Sequence, residues 1–161
     1  MSGILSLSVQ GYKYYLLVID DATRLVWVRF AKSKNTATIF PLLIKIIVKI
    51  KAKTDNAVLE VQCDRGKGEY SQTFKLKYKK LDITVEQSPE YKHSLNRVAE
   101  RYMGLIKTKM RSMLYKARLP YEFWNYAVEY SVWLKNRMPT EALSIPNTVG
   151  KLAQAITLYK A

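Results

Sequence analysis

The stretch that decides the fold runs from Val61 to Leu114, and two carboxylates anchor it. It begins VQCDRGKGEY (61–70) and ends SPEYKHSLNRVAERYMGLIKTKMRSML (88–114). Asp64 ends an apolar run with the alternation and length of a β-strand, and Glu100 opens a helical pattern. The gap between the two acids holds 35 residues. A strand end and a helix start can hold two carboxylates close together, where they could share one or two Mg²⁺ ions.

Metal ions held in this way position and activate a nucleophile for phosphoryl transfer and stabilise the leaving oxygen. The two acids and the glycine-containing turn after Asp64 are weak evidence by themselves, because isolated acids are usually solvated surface groups. The amino-acid sequence around both acids, together with their spacing along the chain, is the stronger evidence.

That wording resembles the catalytic core of retroviral-type integrases, and most closely copia-type retrotransposon integrases with SPxYKHSLN before the helix. Two further segments match, GYKYYLLVIDDATR (11–24) and FWNYAVEYSVWLKNRMPT (123–140), so the resemblance covers roughly Gly11 to Thr140. It implies an α/β fold of the ribonuclease H-like kind, a mixed sheet flanked by helices, here N-terminally truncated. The core domain is expected over 1–140, with 141–161 as a loosely ordered C-terminal tail.

The resemblance also implies roles for single residues. Asp64 and Glu100 would be the catalytic metal ligands, holding Mg²⁺ or Mn²⁺ weakly at most, for polynucleotidyl transfer that joins retrotransposon DNA to target DNA. The DNA itself would be held by cations and amides of the loop and helix around Glu100: Lys92, His93, Asn96, Arg97, Lys107 and Arg111. His93 is interpreted as a hydrogen-bonding loop residue, since metal-activated chemistry needs no imidazole base.

The helix predicted from about Arg97 to Ala117 has two distinct faces at 100° per residue. One narrow stripe carries Glu100, Gly104, Lys107 and Arg111. The predicted buried face carries Tyr102, Leu105, Ile106, Met110, Met113 and Ala117. In the family, the residues one turn and two turns beyond the glutamate contact DNA. Gly104 occupies the first of these positions here, and Lys107 occupies the second.

Composition favours a single domain with a polyanionic partner. The chain has 161 residues, 27 of them basic and 13 acidic, for a net charge of +14. Half of that excess lies in Lys92–Arg118, which has eight basic residues and one acid. The alternative is a solvated face that only keeps the protein soluble.

Several classes of protein are excluded by what the sequence lacks. The longest apolar candidate, 39–50, is interrupted by proline and lysines, so no membrane span is expected, and no signal-peptide pattern opens the chain. One cysteine and one histidine exclude a zinc site of ordinary type.

The remaining elements follow from local pattern. Asp20 and Asp21 are interpreted as turn residues rather than metal ligands. The predicted elements are strands at 12–19 and 25–31, a helix from Asn35 or Thr36 to about Lys53, a short helix at 71–80, a strand at 83–86, a loop at 88–95 and a helix at 120–136. In the family the last helix is commonly part of a dimer interface; packing in the core is the alternative.

Three departures from the family pattern weigh against activity. No aspartate precedes Asp20, so the first strand and its catalytic aspartate are expected to be missing from the middle of the sheet, with Ile4–Val9 able to fill part of the gap. Arg97 replaces a glycine, and the turn after Asp64 reads Arg-Gly-Lys-Gly-Glu. We therefore expect that this chain neither nicks nor joins DNA, is less stable than a complete core, and associates through open strand edges.

Three functions remain open from the sequence. The first is an integrase catalytic core; the second is a non-catalytic DNA-binding remnant using the same basic face; the third is a dimerisation fragment. The resemblance places the protein in the nucleus with its retrotransposon complex, after a cytoplasmic stage, with DNA and a second copy of the chain as partners.

Overall fold

One mixed sheet with helices on both faces forms the molecule. The computed structural model describes residues 6–20, 23–54, 58, 60–63, 76, 78–79, 81–87, 93–138 and 155–160. At 53–54, 62–63, 85–87, 93–96 and 155–160 the description is of the backbone alone.

A β-hairpin forms one side of the sheet. Strand β1 (Tyr14–Asp20) pairs antiparallel with β2 (Val26–Ala31). Aromatic and β-branched residues favour this extended backbone, and every residue of β1 after Tyr14 is buried. The strands predicted at 12–19 and 25–31 are confirmed to within two residues at each end.

Asp20 has a structural role at the turn of this hairpin. One of its carboxylate oxygens accepts hydrogen bonds from the Thr23 hydroxyl and from the Thr23 backbone N–H, the latter at 2.9 Å. The turn ends at Arg24, which has a φ of 59° and donates its N–H to the Asp20 carbonyl. The interpretation of Asp20 as a turn residue is confirmed, whereas Asp21 lies outside the described residues.

Helix α1 (Thr36–Thr54) covers one face of the sheet. Asn35 caps it, because its side-chain oxygen accepts a hydrogen bond from the Thr38 N–H at 2.9 Å. Pro41 lies inside the helix, which begins before it as the Asn35 cap predicts. The buried side chains of α1 pack against Leu16 and Val18 of β1; they are Ile39, Leu43, Ile46 and Ile50.

The strand that leads to Asp64 is present as β3 (Glu60–Cys63), which pairs in parallel with β4 (Thr84–Gln87). Asp64 itself lies outside the described residues. Within the predicted short helix at 71–80, the described residues Leu76, Tyr78 and Lys79 are helical.

Helices α2 (His93–Lys116) and α3 (Trp124–Lys135) cover the opposite face, joined through a 3₁₀ turn. The predicted loop at 88–95 is wrong at its end, since α2 begins at His93. His93 and Asn96 therefore belong to the first turn of the helix. The physical reason is that no proline or glycine separates His93 from the rest of the helix, and Pro89 restricts only the residue before it.

Trp124 is the largest side chain in the core between these helices and the hairpin. Its indole is fully buried and lies 6.2 Å from the Tyr15 ring and 5.7 Å from the Phe30 ring. The predicted buried face of α2 is wrong at Leu105, whose side chain is 40% exposed, and at Ala117, which is exposed and follows the end of the helix. Among the described side chains of α2, those that are buried are Ala99, Ile106, Met110 and Leu114.

The centre of the sheet is filled by β5 (Ala155–Lys160). This strand is antiparallel to β1 on one side and parallel to β3 on the other, giving the order β2-β1-β5-β3-β4. The expected loose tail at 141–161 is therefore wrong at 155–160. The sequence AITLYK is rich in β-branched and aromatic residues, and the position between β1 and β3 offers backbone partners on both sides. Residues 6–9 form no strand, so the expected filling by Ile4–Val9 is not seen in its described part.

The C-terminal end of α3 is hydrogen-bonded to the backbone of the β1–β2 hairpin. Asn136 donates its side-chain N–H to the Val26 carbonyl (2.7 Å) and accepts from the Val26 N–H (2.9 Å). Lys135 donates its ammonium to the Arg24 carbonyl at 2.9 Å.

Among the described residues, no helix is long and apolar enough to cross a membrane.

Candidate nucleic-acid interface and metal site

The predicted stripe on α2 lies at the protein surface. Ala99, Ile106 and Met110 lie on the side of the helix that packs against the core. The side chains of the stripe lie about 90° round the helix from these residues, so they are on its flank. Glu100 and Arg111 are exposed and Lys107 is half-buried. The helix therefore presents one carboxylate and two cations along one flank, as predicted.

Gly104 lies between these charges and leaves a space. A Cβ placed on Gly104 would meet no heavy atom within 4 Å, and the residue is exposed. No close approach of backbone or side chain requires glycine here. A longer side chain at this position would extend from the same flank as Lys107 and Arg111.

Lys107 is in an electropositive environment. Its pKa is lowered, first by burial and then by the positive charges of Arg111 and Lys34. Lys34 belongs to the segment between β2 and α1, and its ammonium lies 4.7 Å from the centre of the Tyr14 ring. Three cations from two separate parts of the chain thus act on one another, and an anion bound among them would relieve the repulsion.

The metal ligands predicted from the sequence are only partly described. Glu100 supplies one exposed carboxylate, while Asp64 follows directly after the end of β3. Carboxylate oxygens are the donor type that Mg²⁺ prefers, so both residue types fit the ion. No group of three or more histidine, cysteine or acidic side chains able to hold a metal occurs in the part of the chain that the structure describes.

The structure describes the remaining predicted DNA-contacting residues to different extents. Lys92 lies outside the described residues, and only the backbone is described at His93 and Asn96, where it is helical. Arg97 is exposed in the same helix. Because helical backbone suits any ordinary residue, Arg97 introduces no strain where the family has glycine.

Sequence reasoning missed two cations: Lys34, which the fold brings near Lys107, and Lys135, which lies on the other flank of α2, near Lys109 and Tyr102. Lys34 acts electrostatically on Lys107 only because of the tertiary structure, and no local pattern predicts this effect. Lys135 is buried, and its pKa is lowered first by burial and then by the charges of Lys109 and Arg24. Its ammonium also lies 5.0 Å from the centre of the Tyr102 ring.

Comparison with curated proteins finds similar segments in plant retrotransposons. The chain is 35% identical over 145 residues to the retrovirus-related Pol polyprotein from transposon TNT 1-94 of Nicotiana tabacum, covering 88% of this chain and 11% of that polyprotein. It is 28% identical over 146 residues to the Pol polyprotein from transposon RE2 of Arabidopsis thaliana, covering 91% and 10%. The chain thus spans about a tenth of the length of these relatives. No protein-family model matches it.

Solved structures with the same fold are retroviral integrases. The HTLV-2 integrase catalytic core domain in complex with magnesium, in its trimeric form, superposes with a TM-score of 0.55 at 21% identity, covering 82% of this chain and 80% of that one. A simian T-cell lymphotropic virus intasome in complex with PP2A regulatory subunit B56 gamma gives 0.59 at 19% identity, covering 81% and 45%. These likenesses show the fold: the α/β, ribonuclease H-like fold predicted from the sequence is confirmed.

Proposed function

We propose, from the premise that this chain is an integrase-like core of a retrotransposon Pol polyprotein, that it binds DNA through the α2 stripe. The observation that carries the proposal is the exposure of Arg111 and Glu100 on one flank of a helix, with Lys107 between them. Lys107 and Arg111 are four residues apart, so they stand about 6 Å apart along the helix axis. That distance suits neighbouring phosphates along a nucleic-acid strand.

The metal chemistry of this core would depend on Asp64 and Glu100. These two residues would hold Mg²⁺ or Mn²⁺, and the ion would supply charge stabilisation for polynucleotidyl transfer. The sheet position between β1 and β3 is occupied by AITLYK, which contains no aspartate or glutamate. With no carboxylate on this central strand, we propose that the 161-residue chain holds a divalent ion weakly and neither nicks nor joins DNA.

Equilibrium binding tests the DNA proposal. Fluorescence anisotropy of a labelled duplex should show an affinity that does not depend on sequence and falls steeply with salt, with a log–log slope of roughly −0.9 per phosphate contacted. The double variant Lys107→Glu, Arg111→Glu should weaken binding to every sequence and make the slope shallower.

A matched control separates the stripe from net charge. Lys45 and Lys49 are also four residues apart and exposed, on α1 across the sheet. Changing both to glutamate alters the net charge equally and should weaken binding much less. If the two double variants lose the same affinity, the stripe is a solvated face and the proposal is wrong.

A homodimer is the second partner that we propose. Two of the similar HTLV-2 integrase core structures are described as dimeric and trimeric forms. Sedimentation velocity across a concentration range would show whether this chain self-associates, and a constant monomer value would contradict it. We also propose a nuclear location, where target DNA is found; imaging of a fluorescent fusion that stays cytoplasmic would contradict this.

A further inference from the structure

The charged residues of the β1–β2 hairpin are unevenly placed. Residues 1–54 contain only two acids, Asp20 at the end of β1 and Asp21 after it. A strand of seven residues is about 23 Å long, so the start of β1 lies far from both acids. Three lysines, which we call the hairpin lysines, occupy that other end, just before β1 and just after β2: Lys13, Lys32 and Lys34.

Contacts within the hairpin hold these lysines near one another. The Lys13 backbone N–H donates to the Ala31 carbonyl at 3.1 Å, which places Lys13 beside the residue that precedes Lys32. The Lys34 ammonium lies 4.7 Å from the centre of the Tyr14 ring, within the range of a cation–π contact. Lys13 and Lys32 are exposed, and Lys34 is half-buried. The hairpin lysines therefore form one cationic end of the hairpin.

The hairpin lysines share an edge of the sheet with the strand that leads to Asp64. β5 is antiparallel to β1, and its last residue, Lys160, pairs with Leu16 near the start of β1. β3 is parallel to β5, and its last residue, Cys63, pairs with Leu158. The ends of β2, β5 and β3 therefore lie at the same edge as the start of β1. Neighbouring strands are about 4.8 Å apart, so β2 lies about 14 Å from β3 across this edge.

The α2 stripe lies close to this cationic end. The pKa of the half-buried Lys107 is lowered first by burial and then by the charges of Arg111 and of Lys34. Salt screens the charges of exposed groups beyond about 10 Å, so this influence places Lys34 within reach of a ligand that lies on the stripe. Positive charge thus continues from Arg111 and Lys107 on α2, through Lys34, to the other hairpin lysines.

We propose that the hairpin lysines bind the backbone of the same DNA duplex as the α2 stripe, with Lys34 contacting a phosphate beside those held by Lys107 and Arg111. A line of cations that crosses two strands and a helix suits an extended polyanion, and each DNA strand carries a phosphate every 3.4 Å along its axis. A second copy of the chain, with its net charge of +14, does not suit this surface. The choice of DNA as the polyanion rests on the proposed function.

Fluorescence anisotropy of a labelled DNA duplex tests the proposal. Lys34→Ala should make the log–log salt slope shallower by about 0.9, the contribution of one phosphate, and this slope corresponds to about eightfold weaker binding at ~0.1 M salt. Lys34→Arg keeps the positive charge and should bind like the parent chain. The double variant Lys13→Ala, Lys32→Ala should also weaken binding and make the slope shallower, by up to about two phosphates.

Two controls make the outcome specific. Lys45→Ala removes one exposed charge from α1, on the opposite face of the sheet from α2, and should change neither the affinity nor the slope by as much as Lys34→Ala. Circular dichroism during thermal unfolding should give Lys34→Ala and Lys34→Arg the same midpoint to within a few degrees. A loss of affinity in Lys34→Ala alone is then due to the missing charge and not to a loss of folded protein.

Three results would overturn the proposal. The first is equal affinity of Lys34→Ala and Lys45→Ala while Lys107→Glu, Arg111→Glu binds weakly; the stripe would then bind DNA without the hairpin lysines, and the proposed function would stand. The second is weak binding by Lys34→Ala while the stripe variant binds like the parent chain, which would contradict the proposed function as well. The third is at least tenfold tighter binding of an RNA duplex than of a DNA duplex, which would make RNA the polyanion.

Discussion

Cys63, the last residue of β3, is the parallel Cα partner of Leu158 in β5. The residue before Asp64 is thus held beside a strand from the C-terminal end of the chain. On its other edge β5 pairs with β1, so it joins the hairpin to the parallel pair of β3 and β4. The position where the sequence predicted a gap is the one that connects the two halves of the sheet.

The first prediction tests this central strand. Thr157→Pro should lower the free energy of unfolding by about 3 kcal/mol or more, because proline removes a ladder hydrogen bond and does not fit the middle of a sheet. Thr157→Ala keeps the backbone N–H and should cost far less. The measurement is urea unfolding followed by circular dichroism; equal stability of the two variants would show that β5 is not in the sheet.

The second prediction concerns the open place in the α2 stripe. Gly104→Lys should raise the free energy of unfolding by roughly 0.5–1 kcal/mol, because glycine is a poor helix former and a side chain here meets nothing. It should also tighten duplex binding and steepen the salt slope by about one phosphate. Gly104→Ala should also raise the free energy of unfolding, but it should leave the affinity for duplex DNA unchanged. If the lysine variant binds no better than the alanine variant, the stripe does not follow the DNA backbone.

The third prediction concerns the buried hydroxyl of Tyr15, which has no hydrogen-bond partner in the part of the chain that the structure describes. Its pKa is raised, first by burial and then by Tyr121. The folded state therefore keeps its proton above pH 10 when the unfolded state loses it, and stability falls as pH rises beyond the unfolded pKa. At pH 7 the free energy of unfolding of Tyr15→Phe should equal or exceed that of the parent chain. Above pH 10 it should fall less than that of the parent chain.

The exposed Tyr115 is the control for this change. Tyr115→Phe should leave the stability at pH 7 unchanged, because its ring is 87% exposed. Urea titrations at pH 7 and at several values above pH 10 give the free energies of unfolding. A Tyr15→Phe chain that is about 1 kcal/mol or more less stable at pH 7 would show that the hydroxyl is hydrogen-bonded after all.

The fourth prediction concerns Asn136, which bonds both backbone groups of Val26. Asn136→Ala should cost about 2 kcal/mol, because it leaves a part-buried N–H and C=O without their partner. Arg137→Ala, next along the chain, removes an exposed side chain and should cost about 0.5 kcal/mol or less. Thermal unfolding of both variants checks the order, and equal losses would count against the role given to Asn136.

The parts of the fold that local pattern specifies could be predicted from sequence. The hairpin of β1 and β2 and the charged flank of α2 depend on alternation and helical periodicity within short windows. The position of β5 could not be predicted, because AITLYK carries no signal of which strands it joins. The electrostatic effect of Lys34 on Lys107 is likewise a property of the tertiary structure, and the start of α2 differs from the predicted one because helix ends are weakly encoded.

The decisive measurement is a nicking and strand-joining assay on the 161-residue chain in Mg²⁺ and in Mn²⁺, run on duplex DNA that the same preparation binds. We predict salt-sensitive binding with no nicked or joined product, because the central strand of the sheet carries no carboxylate. An extended chain carrying an upstream strand with an aspartate before Gly-Pro serves as the comparison. Product formed by the 161-residue chain and abolished by Asp64→Asn would show that the chain is catalytically active without a carboxylate on its central strand.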